Sequence, residues 1–325
     1  MTSNPSSPYL NNYTPPPPPS FPDPADCHPT TPYTSYDLNF AGGQIPSPEA
    51  LRTDKVALLP FIPSLYAGKF YEELQEGDCK GVMRLMPYPR DMAAGLEELL
   101  QGVEVSMRGV EDNLLFAIFD LTRISKDNSE NSSHSTDPEY SREDQDGTAS
   151  PSLPLPPDHP PLECMAGIIA IFCDRKNLTG ELGHIIILPK AQRTHVLSHA
   201  AGLLMHYALD FPYISTYDPA LKKFVEPPSS SSTPSTTTRT PSKALGLRRL
   251  QWQAHVTNAA SIRSAGRLGF QPEGIVRMHG TARGGDEEGR QGDGGGMSRS
   301  NWVGSITWKD WEAGGAGVVD GLVAR

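Results

Sequence analysis

Four blocks of low-complexity sequence interrupt this chain, and its fold must be assembled from the segments between them. Residues 1–50 are rich in Pro, Ser and Thr, with five consecutive prolines at 15–19. The other blocks cover about 124–162, 226–243 and 281–298. Gly (30) and Pro (32) together take a share of the 325 residues well above that of ordinary globular chains. These blocks hold too little apolar surface to offset the entropy of ordering them. The first is therefore expected to be a disordered tail; its alternative reading is a polyproline ligand for a protein partner of the SH3 or WW kind. The internal three are expected to be insertions in loops rather than domain boundaries. What remains is one domain over 51–312 with a C-terminal tail at 313–325. Roughly 190 ordered residues suffice for a proper core.

Charge and cysteine content narrow the class. The formal net charge is −10, and seven acids against Lys126 and Arg142 place half of it within 124–150. The folded part is nearer neutral, which argues against a basic nucleic-acid surface. No run of 18 apolar residues is present, so no membrane span is expected. The N-terminus lacks the basic start and apolar core of a signal peptide. The four cysteines (Cys27, Cys79, Cys164, Cys173) form no CxxC pair. Neither a disulfide framework nor a cysteine zinc site is expected. A reducing cytoplasmic or nuclear setting fits, and a secreted one does not.

Between the blocks, strand and helix patterns alternate. Strands are expected over 55–61, 114–122, 164–174, 180–189, 247–256, 273–280 and 301–308, from dense or alternating apolar residues. Helices are expected over 64–77, 90–105, 192–210 and 258–270. In the third, Val196, Ala200, Leu203, Leu204, Tyr207 and Ala208 recur at helical spacing. This is a mixed α/β sheet protein, with the last two strands paired across the glycine-rich insertion.

Two junctions can carry chemistry. At Leu188-Pro-Lys-Ala-Gln192-Arg193-Thr194-His195-Val196 a buried strand turns into a helix. The first N–H groups of that helix lack internal partners and sit at its positive end, which suits a pyrophosphate. The same junction is also read as a plain strand-to-helix turn. At Thr257-Asn258-Ala259-Ala260-Ser261 the Asn258 side chain either caps the helix or presents its amide to a peptide-like ligand arm. Cys164 and Cys173 lie in an apolar strand, where an inert buried thiol is expected. His195 and His199 stand one turn apart, with no acid or cysteine nearby in sequence to make a metal site.

In order, these segments resemble the GCN5-related N-acetyltransferases (GNAT), in the branch that includes acetyltransferases of ribosomal-protein N-termini. The resemblance is carried by Glu181-Leu182-Gly183, Gln192, Asn258, Ser261, Leu268-Gly269-Phe270, Glu273-Gly274 and Trp311. It is close over about 163–210 and 245–312. It implies the acyl-CoA N-acyltransferase fold, α/β with a mixed, mostly antiparallel central sheet flanked by helices, here with long disordered insertions. It also implies transfer of an acetyl group from acetyl-CoA to a primary amine by direct attack in a ternary complex. The amine belongs to a protein N-terminus, a lysine or a small molecule.

On that resemblance, Leu188, Gln192, Arg193, Thr194, His195, Val196, Leu197, Asn258 and Ser261 are expected to hold acetyl-CoA. Glu181 is expected to be the general base, with His184 as an alternative, and Ser261 to help the leaving thiolate. One departure stands out: His195 and Leu197 occupy positions where the family's pyrophosphate loop has Gly and Gly or Ala. A side chain there either crowds the phosphates or turns sideways. The alternative reading is a binding or scaffold protein of the same fold that has lost catalysis.

Overall fold

The computed structural model describes residues 38–40, 45–87, 95–124, 159–227, 241–282 and 297–325. The proline run, most of the three internal insertions and the segment 88–94 lie outside them.

Strand β2 (Asn113–Asp120) is buried along its whole length. Leu114, Phe116 and Ile118 enter one apolar cluster, while Leu115, Ala117 and Phe119 enter another. A strand that is apolar on both faces needs cover on both, and three layers result. The central sheet adds β1 (Val56–Pro60), β3 (Met165–Asp174), β4 (Thr179–Ile187), β7 (Arg249–His255), β8 (Gln271–Ala282) and β9 (Met297–Thr307). Its order is β1-β2-β3-β4-β7-β9-β8. Neighbours run antiparallel except β4 and β7, which run parallel.

Helices α1 (Pro63–Gln75) and α3 (Leu96–Val103) cover one face with Tyr66, Phe70, Leu74, Leu99 and Val103. Between them, the short α2 (Cys79–Arg84) starts where the Asp78 carboxylate accepts from the Gly81 N–H at 2.9 Å. This helix, and the small hairpin β5 (Thr216–Asp218) and β6 (Lys223–Val225), were not expected from the sequence. The other face carries α4 (Val196–Leu209) and, beyond β7, α5 (Ala259–Arg267).

The expected C-terminal tail at 313–325 needs correction. Helix α6 (Ala316–Val323) folds back onto α4, with Val319 and Val323 fully buried. Gly202 of α4 allows the approach, since a Cβ there would come within 2.9 Å of Val319 Cγ1. Just ahead of α6, the Trp311 indole N–H donates to Asp210 Oδ1 at 2.9 Å. This sandwiching explains why α4 is buried nearly all round rather than along one stripe.

Candidate active site

The site begins with a fault in β4. Ala170 of β3 pairs with Gly183, but Ile168 pairs with Ile186, so His184 and Ile185 together face one residue. This is a β-bulge, and His184 takes a left-handed φ of 47° within it, a costly conformation for a non-glycine residue. The bulge bends β4 away from β7. Their parallel ladder runs from Thr179↔Arg249 to Leu182↔Trp252 and goes no further. Beyond it the two strands separate, leaving backbone edges that a ligand with its own amides can pair.

A cavity of about 320 Å³ opens at the separation. Glu181, Gly183, His184 and Ile185 line it from β4, Gln253 and Ala254 from β7, and Arg299 and Asn301 from β9. Asn258, His279 and the segment Leu85–Pro87 complete the wall.

Glu181 is the chemical centre of this wall. Gln251 Nε2 donates to its Oε2 at 2.7 Å and Gln253 Nε2 donates to the same oxygen at 2.8 Å. Oε1 takes neither bond and is left to the cavity. Burial pushes the Glu181 carboxyl above the usual range, and the two amides offset only part of that rise. His184 shows the opposite behaviour. It packs edge-to-face on Phe172 at 5.0 Å, and burial drives its pKa down to about 4. An imidazole so weakly basic holds no proton near neutral pH, whereas a carboxyl shifted upward is better matched to taking one.

At the second junction, Asn258 Oδ1 accepts from the Ser261 N–H at 3.1 Å and so caps α5. The cap does not use Nδ2, and Asn258 also lines the cavity. The capping and ligand readings of this residue are thus compatible. Ser261 sits elsewhere than expected. It is not part of the cavity wall, and its Oγ accepts from the Trp252 indole N–H at 2.8 Å. Its observed task is to fix the indole beside the gap.

The first junction lies at the far end of the separation. Leu188 is fully buried, and its N–H donates to the Ala166 carbonyl at 2.9 Å. Gln192 Nε2 donates to the Ile187 carbonyl at 3.1 Å, closing the turn. Arg193 stands exposed with a φ of 62°. Thr194 Oγ1 donates to the Ala191 carbonyl at 2.7 Å and accepts the Val196 N–H at 3.3 Å. Val196 is buried, and Leu197 packs against the core.

His195 does not fill the loop. Its Nε2 lies 3.2 Å from Asp120 Oδ1 at the end of β2, and its ring meets His199 edge-on at 5.3 Å. His199 in turn holds Thr53 Oγ1 through Nδ1 at 2.8 Å. The cysteines are chemically quiet, because burial raises the Cys173 thiol to about 12 and shifts Cys164 the same way.

Sequence reasoning missed Gln251, Gln253, Arg299 and Asn301. A signal was present in Leu250-Gln251-Trp252-Gln253-Ala254. Two amides alternating with apolar residues on a central strand demand partners on one face.

The fold matches solved structures, although no family model and no curated protein matches the sequence. A GCN5-related N-acetyltransferase from Brucella melitensis superposes with a TM-score of 0.51 at 18% identity, over 83% of this chain and 84% of its own. An assigned acetyltransferase from T. thermophilus gives 0.51 at 17% identity, over 87% and 99%. The architecture of this chain is that of the GCN5-related N-acetyltransferases.

Proposed function

We propose that this chain, built on the acetyltransferase fold, moves an acetyl group from acetyl-CoA to a primary amine in one ternary complex. The observation that carries this reading is Glu181, a buried carboxylate with one oxygen clamped by two amides and the other left to a cavity beside two separating strands.

The pantetheine arm has two amides, and a gap between unpaired strand edges is suited to them. Asn258 Nδ2 supplies a further donor there. The pyrophosphate belongs at the start of α4, where free N–H groups and the helix dipole favour anions. Arg193 contributes a charge at the rim, and Gln192 and Thr194 hold the turn. His195 is tied to Asp120 and leaves the backbone open, so the missing glycines do not close the loop. Leu188, Val196 and Leu197 support it from the core.

For the chemical step, Glu181 Oε1 takes a proton from the incoming ammonium group, giving a neutral amine. The nitrogen lone pair forms a C–N bond to the acetyl carbonyl carbon. The C–S bond breaks and its electron pair leaves with the CoA sulfur. The adduct's second nitrogen proton goes to that thiolate, and Glu181 returns its own to solvent. Backbone N–H groups on the β4 side of the gap are suited to the developing oxyanion.

The inactive-scaffold reading requires a closed site. Instead, none of Arg193, His195 and Leu197 lines the cavity. The test is acetyl transfer to an amine panel by the wild type and by Glu181→Gln, with acetyl-CoA binding measured in parallel. Transfer that collapses in the variant while binding persists supports the assignment. Binding without transfer to any amine returns the scaffold reading.

A further inference from the structure

Two buried polar groups in the cavity wall lack partners among the described residues, and both belong to β9. Arg299 is only 5% exposed. Its Nη2 donates to the Leu85 carbonyl at 3.2 Å, while its Nε has no partner there. Two residues on, and so on the same face of the strand, Asn301 is 2% exposed. Its Nδ2 donates to Gln253 Oε1 at 2.8 Å, and its Oδ1 accepts from none of the described residues. Both residues line the same cavity as Glu181. A buried guanidinium with an idle donor and a buried carbonyl with no donor each carry a desolvation cost that a ligand can relieve.

The unmet needs are specific. Arg299 offers N–H groups and a positive charge, which a carboxylate satisfies best. Asn301 Oδ1 needs an N–H. Glu181 Oε1 needs an ammonium proton to take. The wall carries a guanidinium and a carboxylate whose charges act on each other. A ligand with one anionic and one cationic group leaves that balance intact, whereas a dianionic phosphate would meet the Glu181 charge.

We propose that the acceptor is an amine with a carboxylate a few bonds from its nitrogen. Arg299 takes the carboxylate, and the amine lies between Asn301 Oδ1 and Glu181 Oε1. This rests on the acetyl-transfer reading, with which it shares Glu181. The carboxylate has two sources, the α-carboxylate of a free amino acid or the side chain of an acidic residue at a peptide N-terminus.

The test compares acetyl-CoA consumption, followed by chromatography, with twenty L-amino acids and with the same amino acids as carboxamides. A third arm uses the peptide amides Asp-Ala-Ala and Asn-Ala-Ala. At least one acid is expected to exceed its amide by roughly 10- to 150-fold in kcat/KM, the value of a charged hydrogen bond. Arg299→Gln should bring that ratio close to one by slowing acids far more than amides, and Arg299→Lys should restore part of it. A preference only among free amino acids identifies the α-carboxylate, and one only in the peptide pair identifies the acidic N-terminus. Equal rates for acids and amides, or equal losses for both in Arg299→Gln, overturn the proposal. Thermal unfolding with the same panels separates this from the reaction itself. If no amine is acetylated, the transfer reading fails. An acid that stabilises the wild type but not Arg299→Gln still upholds the carboxylate site, and no such acid overturns it.

Discussion

Gln253 donates to Glu181 Oε2 at 2.8 Å and, through its own Oε1, accepts from Asn301 at 2.8 Å. One side chain on β7 thus links the carboxylate on β4 to the acceptor wall on β9. Gln251 repeats the grip on Glu181 and is itself reached by Arg249 Nη2 at 3.3 Å. Arg249 is fixed in turn by a bidentate pair with Glu273. Four strands therefore hold one carboxylate, and such preorganisation matters most when a proton must move at a fixed place.

Glu181→Gln keeps the shape of the side chain and removes the base. Acetyl transfer should fall by about 10²–10⁴-fold, with acetyl-CoA affinity changed little. Steady-state rates together with equilibrium binding check this. A variant within a few-fold of wild-type turnover would remove Glu181 from the mechanism.

The pH profile follows from the same network. Glu181 must be ionised to accept a proton, and burial places its pKa above the usual carboxylate range. The acidic limb of kcat/KM should therefore lie above that of an ordinary glutamate, with activity rising as pH increases through it. Gln253→Leu removes a donor that favours the charged form. Its limb should move to still higher pH, which full profiles of both proteins would reveal.

The two departures from glycine in the anion loop should be nearly silent for the cofactor. His195→Ala loses the contact with Asp120 and is expected to change the acetyl-CoA dissociation constant by less than about threefold, since a factor of ten would need ~1.4 kcal/mol. Arg193→Ala removes a charge at the rim and should weaken binding more at low salt than at high salt. Titrations at two ionic strengths separate the two effects.

Helix α6 should contribute to stability directly. Val319→Ala removes two buried methyl groups, worth about 1–2 kcal/mol, or a fall of roughly 2–8 °C in melting temperature. His206 adds a pH dependence to the same contact. Burial lowers its pKa, but hydrogen bonds and charge from Asp210 and Asp320 outweigh that and carry it above the usual histidine value. A folded-state pKa above the unfolded one stabilises at low pH, and that part is lost as pH rises through the folded value. Asp320→Asn should flatten this slope in melts taken across that range.

The central sheet was legible because its strands are dense in Val, Ile, Leu and Phe and its turns carry Gly, Asn and Pro. The α4 junction was legible for the same reason. The tail was misread because Gly-Gly-Ala-Gly ahead of Val318-Val319 reads as a breaker, while the contact of Val319 with Gly202 is tertiary and leaves no local periodicity. The bulge at His184 was invisible, since nothing in Gly183-His184-Ile185 marks an extra residue until β3 fixes the register. Arg299 and Asn301 looked like surface residues beside a glycine-rich insertion, and only the pairing of β9 with β7 turns them inward.

The most direct measurement is thermal unfolding of the full chain with and without acetyl-CoA. At about 100 times the dissociation constant a ligand stabilises by ~2.7 kcal/mol, roughly 5–10 °C for a domain of this size. The account predicts such a rise, reduced in Asn258→Ala against that variant's own baseline. No rise at millimolar acetyl-CoA would contradict it.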